Sequence, residues 1–493
     1  MSRRISRRDF LKRAVASTAA ANLVVLPAIA ATASPRAGKP NILFIMSDQH
    51  TATATGCYGN RQVQTPNLDA FAKRGVRFEY PIVQSPLCIP SRACLLTGKY
   101  PQCHGQLSQK TRLRKDEVFL ADLLRGAGYW VGSVGKMHHI PPQEKRGFEN
   151  MYDVPMWERG KAWMADEHQK NVRGTPNAPI CGISGLNTED HPTSQLTNKA
   201  LQVLRERAAD GGRPFLLWVS YVPPHHPCLP SPEYAQMYAP SEIELPANFG
   251  KPSYYALWHI NMMQQYLGVH FDADVEAIKT FLARYYGEIS LIDFNIGRIL
   301  KELEGLGLSD NTLVVYTADH GDFAGGHGTI MKGDVYDELT RVPLIIRFPK
   351  ERYSGKTIPQ PVEQIDLMPT FLELADVQIP EDEVQGKSLL PLVAGETDQH
   401  KQYVFSMLKS QGMDYGRFAL RSKDWLYIED DVMDRELLFN LDDDPGQISN
   451  VALLPQNREV IKEHRSRLRT YFEGKYRPTS SDSLPIQMRS SLG

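Results

Sequence analysis

Five short runs of apolar, β-prone residues are continuous rather than alternating. They are Asn41-Ile42-Leu43-Phe44-Ile45-Met46, Tyr129-Trp130-Val131-Gly132-Ser133-Val134, Phe215-Leu216-Leu217-Trp218-Val219-Ser220, Thr312-Leu313-Val314-Val315-Tyr316 and Val342-Pro343-Leu344-Ile345-Ile346. A strand with one wet face alternates, whereas one that is apolar throughout must be covered on both faces. The pattern predicts an α/β fold with a large, mostly parallel sheet flanked by helices. Helical segments fit between the runs. Thr65-Pro66-Asn67 offers a capping threonine and a first-turn proline, Leu68, Phe71 and Ala72 an inner face, and Gly75 a stop. Over 283–306, Ile289, Ile292, Ile296, Ile299, Leu300 and Leu303 recur at helical spacing and predict a long amphipathic helix.

The pattern changes after a polar stretch over 395–402. Phe418-Ala419-Leu420-Arg421, Trp425-Leu426-Tyr427-Ile428 and Leu437-Leu438-Phe439 predict short antiparallel strands, and a helix is expected over 458–472. The organisation expected is a large domain over 40–395 and a smaller C-terminal α+β domain with an antiparallel sheet over 396–493. Before them, Ser6-Arg7-Arg8-Asp9-Phe10-Leu11-Lys12, an alanine-rich apolar run and small-x-small sites near residue 33 read as a twin-arginine signal peptide over 1–33. Pro27 and the alanine content make that run a poor permanent span. The expectation is export to the periplasm or medium, with membrane contact only through the export machinery.

Charge excludes one class of partner. Lys+Arg of 56 against Asp+Glu of 57 gives a formal net charge of −1, without the basic excess on which nucleic-acid affinity rests. Six cysteines in 493 residues are too few for a disulfide scaffold. Cys57, Cys94, Cys103, Cys181 and Cys228 read as structural or incidental; spacing pairs none of them.

The polar residues fall where the strands end. Asp48-Gln49 follows the first run, Lys136 and His138 the second, His225-His226 the third and Asp319-His320 the fourth. Ligands of open α/β sheets bind beyond the carboxyl ends of the strands, so four such clusters point to one site. Asp48, Gln49 and Asp319 offer hard oxygens suited to calcium or magnesium, and His320 adds an imidazole that keeps manganese and zinc open.

The stretch Ser85-Pro86-Leu87-Cys88-Ile89-Pro90-Ser91-Arg92-Ala93-Cys94-Leu95-Leu96-Thr97-Gly98 resembles the signature of the type I sulfatases of the alkaline-phosphatase superfamily. Gly135-Lys136-Met137-His138, Pro224-His225-His226-Pro227, Thr317-Ala318-Asp319-His320-Gly321-Asp322 and Met331-Lys332-Gly333 resemble further blocks of that family, in order. The resemblance, from about residue 40 to the end, implies hydrolysis of sulfate esters. It implies that Cys88 is oxidised to formylglycine by a formylglycine-generating enzyme before export. It also implies one divalent cation, calcium first, held by Asp48, Gln49, residue 88, Asp319 and His320.

The implied catalytic set is Cys88, Arg92, Lys136, His138, His225 and Lys332. A thiol suits this chemistry poorly, since a thiosulfate-type adduct has no easy second step; in a geminal diol one hydroxyl attacks sulfur and the other expels sulfate. Arg92, Lys136 and Lys332 would hold sulfate oxygens, His138 would be the base, and His225 or Lys332 the acid for the leaving oxygen. The choice between His225 and His226 rests on alignment to P-H-x-P. Gln49 and His320 stand where many members have aspartate and asparagine, variants of choline-sulfatase-like and iduronate- or heparan-sulfatase-like branches. The substrate expected is a sulfated small molecule or carbohydrate; its identity and the oligomeric state stay open. The rival readings are a phosphonate or phosphate ester hydrolase on the same scaffold and a catalytically silent carbohydrate-binding homologue.

Overall fold

Leu43 and Ile45 join one apolar cluster while Ile42, Phe44 and Met46 join another, and all five are fully buried. This is the two-sided burial that a continuous apolar strand demands. The computed structural model describes residues 38–476 apart from 109–110, 115, 139–144, 153–180, 252–253, 255–274, 410–415 and 432, together with 478. The expected signal peptide and most of the loop expected over 156–190 lie outside the described residues.

Strand β1 (Asn41–Asp48) sits inside an eight-stranded sheet. The others are β2 (Val76–Ile82), β3 (Trp130–Gly135), β4 (Asn150–Tyr152), β5 (Phe215–Pro224), β6 (Thr312–Ala318), β7 (Leu344–Arg347) and β8 (Lys356–Glu363). Their order is β4-β3-β5-β1-β6-β7-β2-β8. β1 runs parallel to β5 and β6, and β3 to β4 and β5. The fifth apolar run is the exception to the parallel sheet: β7 is antiparallel to both β6 and β2. Residues 319–343 return at the end of the sheet where β6 stops, without the helical crossover a parallel neighbour requires.

Helices cover both faces. α1 (Pro66–Lys73), α2 (Cys88–Thr97), α3 (Leu120–Gly126), α4 (Pro192–Asp210), α5 (Val275–Gly305) and α6 (Leu367–Leu374) pack on the sheet. The expected threonine cap of α1 does not form. Thr65 Oγ1 accepts from the Gly56 N–H at 2.9 Å and donates to Asp69 instead. The first turn of α1 is capped from another helix: Asp293 of α5 accepts the Asn67 and Leu68 N–H groups at 3.1 and 2.7 Å. The long helix begins eight residues before the expected residue 283, at Val275.

A second sheet, order β12-β11-β10-β9, is an antiparallel meander of β9 (Val404–Lys409), β10 (Gly416–Arg421), β11 (Trp425–Asp430) and β12 (Arg435–Asn440). Helix α7 (Arg458–Thr470) packs on it. Its apolar residues share clusters with the first unit: Phe405 and Phe418 with Cys94 and Tyr100, Leu408 and Ile428 with Phe323 and Tyr336. No two of the six cysteines are joined in a disulfide. No described helix is long and apolar enough to cross a membrane.

Candidate active site

Asp48 ends β1, and Asp319 and His320 follow β6 beside it. The parallel register that pairs Ser47 with Ala318 brings them together, and all three are fully buried. Gln49 turns the chain at φ 68°, and its N–H donates to Asp319 Oδ1 at 3.1 Å. Into this corner points the first residue of α2, Cys88, at a helix N-terminus whose free N–H groups favour an anion. The Cys88 sulfur lies 3.5 Å from Asp48 Oδ1 and 3.1 Å from His320 Nε2. One ligand atom each from Asp48, Cys88, Asp319 and His320 falls within 4.8 Å of the others.

Cations close around the acids. Arg92, 1% exposed, lies one turn after Cys88. Its Nε donates to Asp319 Oδ2 at 2.8 Å, Nη2 to Asp48 Oδ2 at 3.2 Å, and Nη1 to the Lys136 carbonyl and Ser220 Oγ at 2.5 and 2.8 Å. The guanidinium is thus engaged by two carboxylates, a backbone carbonyl and a hydroxyl. Lys136 Nζ donates to Asp48 Oδ2 at 2.5 Å and stays half-buried. Lys332 Nζ reaches Cys88 Sγ at 3.0 Å, Gln49 Oε1 at 3.0 Å and His320 Nε2 at 3.2 Å.

The two histidines after β5 divide. His225 and His226 stack at 4.1 Å, and His225 Nδ1–H donates to the His226 carbonyl at 2.6 Å. His225 and His138 both stand close enough to the Cys88 sulfur to influence its charge state. His226 Nδ1 instead lies 3.4 Å from the Gln49 amide nitrogen. His138, at φ 63°, is exposed.

Charge states follow from this crowding. Burial raises the Cys88 thiol, but Lys136, Lys332 and His320 outweigh it and hold the thiol well below its ordinary range. Burial and the Cys88 thiolate would raise Asp48, yet Lys136, His225 and Lys332 keep it far below the usual carboxylate range. Asp319 goes the other way, raised by burial and by Asp48 against the pull of Arg92. His225 is lowered to about 4, chiefly by burial and then by Lys332. Two buried carboxylates pressing on each other, with an imidazole at the same corner, fit a divalent cation.

The predicted residues Asp48, Gln49, Cys88, Arg92, Lys136, His138, His225, Asp319, His320 and Lys332 thus meet in one place. Gln49 stands at its edge, its amide shared between Lys332 and Asp322. Asp322 had no assigned role, although it closes the Thr317–Asp322 block. Fully buried, it accepts from Gln49 Nε2 at 2.6 Å and from the Ala324 and Met331 N–H groups.

Comparison with known proteins agrees with this geometry. The family model described as Sulfatase matches residues 40–377, and the model described as N-sulphoglucosamine sulphohydrolase, C-terminal, matches 325–473. The chain is 30% identical to an arylsulfatase of Clostridium perfringens over 89% of this chain and 95% of that protein. It is 27% identical to an N-acetylglucosamine-6-O-sulfatase of Bacteroides thetaiotaomicron over 84% of this chain and 82% of that one. Among solved structures, the phosphonate monoester hydrolase of Silicibacter pomeroyi superposes with a TM-score of 0.76 at 28% identity, covering 88% of this chain and 95% of its own.

Proposed function

The chain belongs to the sulfatase family of the alkaline-phosphatase superfamily and is a sulfatase-type hydrolase, and on that premise we propose that it hydrolyses a carbohydrate sulfate ester through a formylglycine made from Cys88. The observation that carries the reading is the convergence of Lys332, His320 and Asp48 on the Cys88 sulfur at the start of α2. The likeness to a protein named as an N-acetylglucosamine-6-O-sulfatase supports a sulfated amino sugar as substrate.

Asp48, Asp319 and His320, with Gln49 and residue 88 beside them, would hold one divalent cation, calcium by the hardness of the oxygen donors. When bound, it supplies positive charge against the sulfate group. The protein's own groups then divide the work. Lys136 and Lys332 hold sulfate oxygens and spread the charge of the transition state. The hydrated aldehyde at residue 88 would supply the attacking hydroxyl, and His225, neutral with its own N–H on the His226 carbonyl, would take that hydroxyl's proton at Nε2 and pass it to the leaving oxygen as the S–O bond to the sugar breaks. His138 then takes the proton of the second hydroxyl. That would let the C–O bond to sulfate break and the aldehyde re-form, with sulfate departing and water rehydrating the carbonyl. Arg92 holds Asp48 and Asp319 apart and in place.

The test is the mass of the peptide spanning Cys88, from protein made with a formylglycine-generating enzyme, together with turnover by Cys88→Ala. An aldehyde and a folded, inactive variant are expected. An unmodified thiol in fully active enzyme, or near-normal turnover by Cys88→Ala, overturns the reading. A thiol in inactive protein favours a silent sugar-binding homologue. A second reading has an observation of its own: the likeness to a phosphonate monoester hydrolase. Comparing a sulfated sugar, an aryl sulfate and a phosphonate monoester with one preparation separates them, a large preference for phosphorus choosing the second. Export by the twin-arginine route completes the proposal, and replacing Arg7 and Arg8 by Lys is expected to hold the enzyme in the cytoplasm.

A further inference from the structure

Lys332 is held from both sides through the backbone of its chain neighbours. On its N-terminal side, Met331 stands at φ 72° with its N–H on Asp322 Oδ1 at 2.9 Å. On its C-terminal side, Gly333 at φ 122° occupies backbone space that residues with a Cβ rarely enter. Its carbonyl accepts from Arg417 Nη1 at 3.2 Å. The same nitrogen lies 3.4 Å from Asp334 Oδ2, while Arg417 Nε lies 3.5 Å from Asp430 Oδ1. Arg417 comes from β10 of the C-terminal sheet, directly opposite Asp430 of β11, and is 2% exposed. Asp334, fully buried beside it, is pushed up to about 7 by burial, against the opposing charge of Arg417.

A guanidinium taken out of water is costly unless its donors are satisfied, and an apolar residue of similar volume often stabilises as well. Stability alone therefore gives weak reason for an arginine at this point. What this one does, and an apolar side chain would not, is tie the second sheet to the backbone one residue after Lys332. We infer that Arg417, through the Gly333 carbonyl and Asp334, is a positioning residue that sets where the Lys332 ammonium meets residue 88. The inference rests on the proposed role of Lys332 at the sulfate group. It gives the C-terminal sheet a direct part in the chemistry, since a displacement of an ångström at a charged group can cost about a hundredfold in rate.

The experiment is a double-mutant cycle on the full chain carrying the modified residue 88, with a chromogenic aryl sulfate as probe. Arg417→Met is expected to lower kcat by roughly 10- to 100-fold while KM moves less than about threefold. In the Lys332→Ala background the same substitution is expected to cost less than about threefold, because the group it positions is gone. Equal losses in both backgrounds overturn the inference and leave Lys332 in its role. An unchanged rate for Lys332→Ala alone overturns the role of Lys332 itself. Circular dichroism reports whether Arg417→Met folds. Where it does not, Asp334→Asn, which keeps shape and removes the ion pair, replaces it in the same cycle. A kcat loss that vanishes without Lys332 supports the positioning role, and an unchanged kcat contradicts it.

Discussion

Arg92 Nε donates to Asp319 Oδ2 at 2.8 Å, with the arginine 1% exposed and the carboxylate fully buried. Nη2 of the same guanidinium reaches Asp48, so one rigid fork fixes the spacing of the two carboxylates proposed to hold the cation. Lysine keeps the charge but cannot span both acids. Arg92→Lys is expected to weaken calcium affinity by about 10- to 100-fold, the usual cost of losing a group that orients metal ligands. Activity measured across a calcium titration checks this: the half-saturating concentration should rise and most of the rate should return at saturation. A loss that calcium never repairs, with a raised KM, would instead restore Arg92 to the sulfate.

His225 gives a prediction of a different kind. Its Nδ1–H is committed to the His226 carbonyl, which leaves Nε2 for residue 88 and the leaving oxygen. A general acid matters most when the departing alkoxide is strongly basic, as from a sugar hydroxyl, and least for a nitrophenolate. His225→Ala is therefore expected to slow a carbohydrate sulfate by about 10²- to 10⁴-fold and an activated aryl sulfate by under about tenfold. Equal losses on both would remove the acid role and point to Lys332. His226→Ala, whose ring faces Gln49, should show no such dependence on the leaving group.

How much of this was legible in the residues follows from burial. Strands β1, β3, β5 and β6 are apolar on both faces because helices cover both, so their runs stood out. β2, β4 and β8 did not. Each keeps half-buried or exposed positions, as in Val76-Arg77-Phe78-Glu79-Tyr80, and β4 and β8 are edge strands. Strand ends predicted where Asp48, Lys136, His225 and Asp319 would meet, because register in a parallel sheet aligns them. Contacts made at long range carried no local signal. The cap of α1 by Asp293 and the hold of Arg417 on Gly333 join residues far apart in sequence, and neither has a periodicity to betray it.

The cation should be separable from the fold. Chelation is expected to abolish sulfatase activity and calcium to restore it. Calcium should also raise the unfolding temperature, since a ligand at about 100 times its Kd stabilises the state it binds by about 2.7 kcal/mol. Asp319→Asn keeps the shape of a buried ligand and removes its charge, so both responses should shrink together. Thermal unfolding with and without calcium measures one, and reactivation kinetics the other. Recovery with manganese or zinc but not calcium would reassign the ion to the softer side of the donor set at His320.

Glu288 supplies a pH test of the loop that carries His225. It is buried in α5, its Oε1 accepts the Leu229 N–H at 2.9 Å, and its Oε2 has no hydrogen-bond partner among the described residues. Burial pushes its carboxyl from the ordinary 4.5 up to about 8. Between those values the folded chain keeps a proton that the unfolded chain has released, so the unfolded state binds fewer protons and stability falls as pH rises. Below the lower value both states are protonated and the term vanishes; above the upper one the loss is complete, on the order of a few kcal/mol at roughly 1.4 kcal/mol per unit. Glu288→Gln keeps the acceptor for Leu229 and cannot ionise. The difference in unfolding temperature between the variant and the parent should therefore be small in mild acid and should grow steadily to a plateau above the upper value, other titrations cancelling in the comparison. A difference independent of pH would mean that the carboxyl titrates normally and that the loop is not built over a neutral acid.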